Sequence, residues 1–591
     1  MLAMVLRLGG VGRTLDGYPL IMTEALALAS YWFVRMIVGR HPPMPRDWPA
    51  SLKRLAALAG GRRPESTSAA LRLIDLPLLL LAILAAGVGL FGGSEDDGPA
   101  SSAHTLLHTV VFLTFASEAV RVGRAALAAL PGAAAFPLSF LTLIAICTGL
   151  LKLPVCTPAG ITWTDALFTA TSAVCVTGLV VRDTGSGFTQ AGQGVILAFI
   201  QLGGLSIVLF GAGLAIVFRR SLSLREHVSI REMLDRESIG DLRRFIGFVL
   251  GCTLLVQLVA FVVMVPLWIP AEGVGGVLTL ERRLWLSLFH AVSATCHAGF
   301  DLTGQSMAGH RNAVLPYLVI APLIIFGGIG FPVLQDLWTL ARKRIQLARA
   351  RANRSRNHQR LPSEAPARLS LHSKLVLVMT AILLALGFVT ILLAQSLVPG
   401  GNPRPWYGEI ADAAFVSVTA RTAGFATLAA EELAPASIVV IIALMFMGGA
   451  PGSFSGGIKV TTLALLILSI MATIRGRAET EAFGRAIPEA LVRKAGAIAL
   501  SMLLLPMVAS YFLAMTDPGP LTPIVFEAVS AATTTGLSLG LTTALSDPGK
   551  LIITGTMFLG RIGPLALMGA LILRKPPSRA YLYPRETINL G

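Results

Sequence analysis

The sequence predicts an all-α membrane protein: four tandem, parallel span–pore-helix–span repeats in a pseudo-four-fold arrangement, with an extra N-terminal pair of spans. Three observations carry this. The 591-residue chain is 54% hydrophobic and only 14% charged, with a mean hydropathy of +0.73, whereas soluble domains carry about 25% charged residues. One short run recurs four times, as FTATSAVCVTG (168–178), FHAVSATCHAG (289–299), FVSVTARTAG (415–424) and FEAVSAATTTG (526–536). The basic residues behind the formal net charge of +16 sit in linkers between apolar segments. That is the positive-inside pattern, not the single basic face of a nucleic-acid binder.

Each copy of the run opens on a Phe and carries Ser172, Ser293, Thr419 or Ser530 four residues later. It closes on Gly178, Gly299, Gly424 or Gly536. About ten helical residues reach roughly 15 Å, half of a hydrocarbon core about 30 Å thick. Such a helix enters a membrane without crossing it. The non-helical backbone after it is tolerated only inside protein or against a water-filled cavity. A closing Gly permits backbone angles that turn carbonyls toward an axis. Four such turns around one axis would form a carbonyl ring able to replace a cation's hydration shell. Four unrelated helix ends stopped by glycine would share the Gly but not the whole run.

Residues 1–69 are read as a cytoplasmic or interfacial segment. The apolar stretch 20–38 is interrupted by Glu24 and Arg35, and a basic run from Arg40 to Arg63 follows it. The start, MLAMVLRLGG, lacks the ordered regions of a signal peptide. Residues 70–125 form the extra two-helix unit, with spans at 71–91 and 106–122 around an outer acidic loop, SEDDG. Glu118 near its inner end reads as a snorkelling or capping acid. Repeat 1 is 134–218, with segments 134–153, 163–178 and 192–218. Repeat 2 is 244–341, with segments 245–269, 283–299 and 312–340. A basic cytoplasmic linker, 342–374, leads to repeat 3 at 375–475, with segments 375–397, 408–424 and 436–474. Repeat 4 is 489–574, with segments 490–515, 521–536 and 549–573, and a tail, 575–591, ends the chain.

The linkers set the topology. Arg219, Arg220 and Arg225 to Arg244, mixed with acids, separate repeats 1 and 2 as a polar, helix-like surface segment. The almost acid-free RKRIQLARARANRSRNHQR (342–360) reads as a mobile loop. Arg475, Arg477, Arg485, Arg493 and Lys494 separate repeats 3 and 4, and Arg574, Lys575, Arg579 and Arg585 follow the last. Every repeat therefore starts and ends in the cytoplasm, as do both termini, and the repeats are parallel. Inverted repeats would place an inter-repeat linker on the far side. Cys147, Cys156, Cys175, Cys252 and Cys296 lie in or beside apolar segments without metal-like spacing and read as buried free thiols.

The loops CVTGL, HAGF, RTAGF and TTGLS and the motifs QLGGLSI (201–207), GGIGFPVL (327–334) and, most specifically, GGAPGSFSGGIK (448–459) resemble the Trk/Ktr/HKT superfamily of potassium transporters. The resemblance is to its pore-forming membrane subunit and covers 134–591. The N-terminal pair of spans is similar to the Trk branch, and the tail YLYPRETINLG to the Ktr branch. The resemblance implies that Gly178, Gly299, Gly424 and Gly536 are filter glycines. It implies that the carbonyls of Val176, Thr177, His297, Ala298, Thr422, Ala423, Thr534 and Thr535 hold the transported K+. One Gly per loop implies a shorter cage than the TVGYG loop of potassium channels, with weaker discrimination against Na+. His297 stands where the resemblance leads to a small polar amide, and its imidazole is expected to pack behind the filter.

The second span of repeat 3 is broken. Gly448, Gly449, Pro451, Gly452, Ser453, Ser455, Gly456 and Gly457 cannot form a stable helix interior, since each Gly costs about 1 kcal/mol and Pro about 3 kcal/mol against Ala. Two helices joined by a mobile loop at mid-membrane are expected, and the resemblance implies that this loop gates the path below the filter. Lys459 follows directly and needs a water-facing or paired site at that depth. Arg561, in MFLGRIGPLAL, is too costly to face lipid. The resemblance places it in the pore below the filter, able to pair with gate-loop carbonyls.

The leading expectation is passive, gated K+ uptake across the cell membrane. The resemblance adds a homodimer with one pore per chain, 581–591 as a candidate strap between subunits, and a cytoplasmic ring of nucleotide-binding regulatory subunits docked on the basic linkers. No organic cofactor is expected in this chain. The alternative is a secondary transporter coupled to Na+ or H+, moving K+ or another small solute. It would want mid-membrane acids, which the spans nearly lack. A membrane enzyme is the weakest reading, for want of paired carboxylates, a metal-spaced His cluster or a nucleophile–base pair.

Overall fold

A computed structural model of the protein describes residues 132–217, 239–268, 278–354, 368–397 and 405–563. The N-terminal segment and two-helix unit, most of the linker between repeats 1 and 2, the middle of the basic linker and the tail lie outside the described residues. The rest falls into four sets of helices. Repeat 1 contains α1 (Gly132–Leu151), α2 (Trp163–Val174) and α3 (Gln190–Val217). Repeat 2 contains α4 (Ile239–Met264), α5 (Leu280–Cys296), α6 (Ala321–Ile329) and α7 (Phe331–Arg354). Repeat 3 contains α8 (Leu371–Ser396), α9 (Trp406–Thr419), α10 (Pro435–Phe446) and α11 (Val460–Ile474). Repeat 4 contains α12 (Glu489–Thr516), α13 (Leu521–Thr533) and α14 (Asp547–Ile562).

Among the described residues three helical stretches, Arg244–Leu267, Leu371–Ser396 and Glu489–Thr516, are long and apolar enough to cross a membrane. Each is the first helix of a repeat. The short helices α2, α5, α9 and α13 hold 12, 17, 14 and 13 residues. Their starts are marked in the sequence. Thr162 and Thr279 cap α2 and α5 by accepting from the amides of Asp165 and Arg282, and Pro405 and Pro520 precede α9 and α13. The Phe that opens each recurring run (Phe168, Phe289, Phe415, Phe526) is fully or almost fully buried, which anchors the short helix in the core.

Glycine sets how closely the next helix approaches. A Cβ on Gly203 would strike the carbonyl of Val174, one on Gly327 that of Thr295, and one on Gly560 that of Ala532. In repeats 1, 2 and 4 the second helix thus lies backbone-to-backbone against the end of its own short helix. This is the structural use of the QLGG, GGIG and FLGR stretches. Ion pairs tie neighbouring repeats together. Lys550 of repeat 4 meets Asp165 of repeat 1 at 2.7 Å, and Arg311 of repeat 2 meets Asp412 of repeat 3 at 2.7 Å.

Three features depart from the expected outline. The second segment of repeat 2, expected to run unbroken through 312–340, bends by 95° between Pro316–Ile329 and Phe331–Gln346. The hinge is Gly330, at φ 90°, followed two residues on by Pro332, which cannot donate a backbone hydrogen bond. The linker 342–360, expected to be a mobile loop, is helical through Arg354, because that part has no Gly or Pro and is rich in Arg and Ala. Finally, the linker between repeats 3 and 4, for which the sequence predicts no element, holds a hairpin outside the expected all-α outline. Strands β1 (Thr480–Ala482) and β2 (Arg485–Ile487) pair antiparallel, closed by Phe483 and Gly484, both at positive φ, as a tight hairpin requires.

Candidate functional site

Each short helix runs into the same backbone turn. Two residues before the glycine, Val176, His297, Thr422 and Thr534 adopt φ of 56°, 62°, 69° and 51°. The glycines follow at 94°, 69°, 82° and 88°. Left-handed backbone is costly for a non-glycine residue, above all a β-branched one such as Val or Thr. Strain repeated at one register in four loops marks a built geometry. The turns are held from within. The amides of Thr177, Ala298 and Thr535 donate to the carbonyls of Ser172, Ser293 and Ser530 at 2.8 Å, and that of Ala423 donates to Thr419 at 3.0 Å.

The recurring hydroxyl has two uses. In repeats 1 and 4, Ser172 and Ser530 accept from the amides of Gly178 and Gly536, at 3.1 and 3.0 Å. In repeats 2 and 3, Ser293 and Thr419 donate to the carbonyls of Phe300 and Phe425, at 2.8 and 2.6 Å. Every loop is pinned to its own short helix. Losing the hydroxyl in repeat 1 or 4 would strand a glycine amide in the interior, at a cost of about 1–3 kcal/mol.

The four turns close into a ring in chain order. A Cβ on Gly178 would strike the Ala298 carbonyl, and one on Gly299 would lie 3.0 Å from the Ala423 carbonyl. One on Gly424 would lie 2.7 Å from the Thr535 carbonyl, and one on Gly536 would strike the Thr177 carbonyl. Each glycine therefore abuts the carbonyl just before the next repeat's glycine, and repeat 4 returns to repeat 1. The structure brings all twelve residues of the four turns into one assembly, and every side chain before the glycines is buried.

His297 lies between elements. Its Nδ1 is 2.9 Å from the Thr422 carbonyl and its Nε2 is 2.7 Å from the Ile324 carbonyl. The imidazole thus bridges the second helix of repeat 2 to the turn of repeat 3. Both partners are acceptors, and a neutral imidazole has a single N–H to donate.

The stretch 448–459 crosses beside this ring and is tied down rather than loose. Backbone groups of the loop without helical partners find partners elsewhere. Ala450 and Phe454 donate to Gly328 and Gly327, at 2.9 and 3.1 Å, and Phe331 donates to Gly452 at 3.0 Å. The Ser455 hydroxyl lies 2.6 Å from that of Thr422 and accepts from the Gly449 amide. The Gly456 amide donates to Thr422 Oγ1 at 3.1 Å, so the loop is bonded directly to the turn of repeat 3. Gly456 also packs against Thr533 and Thr534 of repeat 4. Lys459, half-buried, donates to the Ser455 carbonyl at 2.5 Å. Pro451 and Gly452 form the tip against Gly330 and Pro332, and the Ser453 hydroxyl donates to the Ala450 carbonyl at 2.6 Å. Gly448 and Gly457 pack together at its base.

Two buried arginines grip the loop. Arg561 Nη1 donates to the Phe454 carbonyl at 2.8 Å, while its Nε and Nη2 have no partner among the described residues. Arg421 Nη2 donates to the Gly448 carbonyl at 3.0 Å. Sequence reasoning passed over Arg421, although the one Lys or Arg in the four copies of the run was a visible signal. It also passed over Glu527, buried within α13, which accepts from Ser538 and Thr542 of the segment after Gly536.

The chain as a whole is similar to known proteins. The family model described as "TrkH: Cation transport protein" matches residues 133–579. Potassium/sodium uptake protein NtpJ of Enterococcus hirae is 34% identical over 463 residues, covering 76% of this chain and 95% of that protein. Ktr system potassium uptake protein B of Vibrio alginolyticus is 34% identical over 462 residues, covering 77% and 94%. Its counterpart in Bacillus subtilis is 35% identical over 430 residues, covering 73% and 90%. The crystal structure of the potassium transporter TrkH from Vibrio parahaemolyticus superposes with a TM-score of 0.56 at 18% identity, covering 85% of this chain and 98% of that one.

Proposed function

The chain belongs to the TrkH family of cation transport proteins, and from that premise we propose that it takes up K+ across the cell membrane through the glycine-turn ring, gated by the loop 448–459. The closed ring is the observation that carries the reading. Four like turns in one cycle are what a desolvated monovalent cation needs, since backbone carbonyls must replace its water on all sides at once. The ligands are the carbonyls of Val176, Thr177, His297, Ala298, Thr422, Ala423, Thr534 and Thr535. A cage this short leaves discrimination between K+ and Na+ modest, in keeping with a relative named for both ions.

The gate reading rests on Arg561. A buried guanidinium with two nitrogens unpaired among the described residues puts a positive charge beside the loop, a barrier to any cation passing it. Its bond to Phe454 holds the loop in place. The protein is a multi-pass membrane protein with its linkers and termini in the cytoplasm. It acts as a homodimer with one pore per chain, under a cytoplasmic nucleotide-binding ring docked on the basic linkers. Coupled secondary transport gains no support from Glu527 or Asp412, because both carboxylates are engaged by hydrogen-bond donors of neighbouring segments.

The test is ion flux into liposomes carrying the full chain. K+ and Rb+ should enter down their own gradients, faster than Na+, with no pH or Na+ gradient imposed. Entry that requires such a gradient would overturn passive conduction in favour of coupled transport.

A further inference from the structure

The helix beyond the bend at Gly330 ties the loop 448–459 through Phe331 and carries the start of the basic linker, but its exposed side chains have no role in the conduction path. α7 leaves the preceding helix at 95°, so where that helix crosses a bilayer, α7 lies in the plane of the membrane. Its depth is set by Asp336, which accepts hydrogen bonds from Ser370 and Ser373 at the start of the next span, α8, at 2.5 and 2.6 Å. α7 therefore runs along the face where the basic linkers gather.

Its exposed surface is of two kinds. Trp338 and Ile345 stand 51% and 52% exposed, two turns apart on one side of the helix. Arg342, Lys343 and Arg344 between them are exposed as well, and the Arg342 guanidinium sits 4.8 Å from the centroid of the Trp338 ring. No acidic residue occurs from Leu337 to Arg354. An apolar stripe flanked by cations is the pattern of a helix bedded at the headgroup level, where an indole ring settles and basic heads reach phosphates. An acidic protein face would match the cations but would give the exposed Trp338 and Ile345 no apolar surface to rest on.

We propose that α7 is an interfacial helix whose Arg342, Lys343 and Arg344 bind anionic phospholipid headgroups of the adjoining leaflet, and that this occupancy steadies the loop 448–459. The link is made at the helix start. Phe331, its first residue, donates its amide to the Gly452 carbonyl at 3.0 Å and packs its ring edge-on against Phe454, with centroids 5.3 Å apart. Phe454 is the residue whose carbonyl Arg561 holds. Headgroup binding stands independently of the transport reading, whereas the effect on the loop rests on reading that loop as the gate.

Two measurements on the full chain test this. In mixed phosphatidylcholine and phosphatidylglycerol micelles, native mass spectrometry reads the lipid retained by the wild type and by the R342Q/K343Q/R344Q variant. K+ flux is then compared in phosphatidylcholine vesicles with and without phosphatidylglycerol. The variant should retain about tenfold less phosphatidylglycerol, and its flux should no longer respond to that lipid, while wild-type flux changes severalfold. Equal retention in wild type and variant would overturn the headgroup site and leave the face to a protein partner. Lost retention with an unchanged lipid response would overturn the link to the loop. Wild type without K+ flux in either vesicle would count against the transport reading and leave the retention result standing.

Discussion

Replacing Gly178 or Gly536 with serine should abolish most of the preference for K+ over Na+, with smaller losses at Gly299 and Gly424. All four glycines sit at φ between 69° and 94°, where a side chain costs about 1–2 kcal/mol. At Gly178 and Gly536 the new Cβ also runs directly into the carbonyls of Ala298 and Thr177, which the proposed cage uses as ligands. At Gly299 and Gly424 the Cβ would lie 3.0 and 2.7 Å from the Ala423 and Thr535 carbonyls, a shallower overlap that still forces the backbone to shift. Displaced ligand energy of that size corresponds to roughly tenfold in relative flux. The check is the K+/Na+ flux ratio in liposomes for each variant, beside a thermal melt showing that the chain still folds. Unchanged ratios in all four would sink the filter assignment.

Removing the charge of Arg561 and shortening the loop should each raise K+ flux severalfold, with less than additive gain together. Arg561 bonds the Phe454 carbonyl, which lies inside a deletion of Gly452 to Gly456, so the two changes act on one interaction. Selectivity separates them. Viewed from the sequence alone, loop and filter are separate stretches, and the deletion should leave selectivity alone. The structure ties them, since Ser455 and the Gly456 amide both bond Thr422 Oγ1. The deletion should therefore also lower the K+/Na+ ratio, whereas Arg561→Ala should not. Flux at or below wild type in a folded deletion would refute the gate. Fully additive gains would deny the coupling to Arg561.

Much of this architecture is legible because a bilayer restricts what a chain can do. Apolar length, basic linkers and a fourfold recurring run are one-dimensional signals, and they outline the repeats and single out the glycines. The break at 448–457 is visible for the same reason, since five glycines and a proline cannot hide in a helix. What stays illegible depends on neighbours. The bend at Gly330 lies in GGIGFP, which carries enough Gly and Pro to stop a helix, yet its closeness to Gly452 is a tertiary fact. The helix at 342–354 was masked by its charge, which suggests solvated coil when counted without its 3.6-residue period. The two uses of the recurring hydroxyl cannot be told apart from Ser172, Ser293, Thr419 and Ser530 themselves. Glu527 and Asp412 look like surface acids until Ser538, Thr542, Tyr317 and Arg311 are folded against them.

The central claim is that one desolvated cation sits within the ring of four glycine turns. Anomalous diffraction from crystals grown in Rb+ tests it most directly. The account predicts an anomalous peak enclosed by the turns ending at Gly178, Gly299, Gly424 and Gly536, within bonding distance of carbonyls from all four repeats, and weakened when Na+ replaces Rb+. A conducting protein with no peak in the ring, or with its only peak elsewhere, would contradict it.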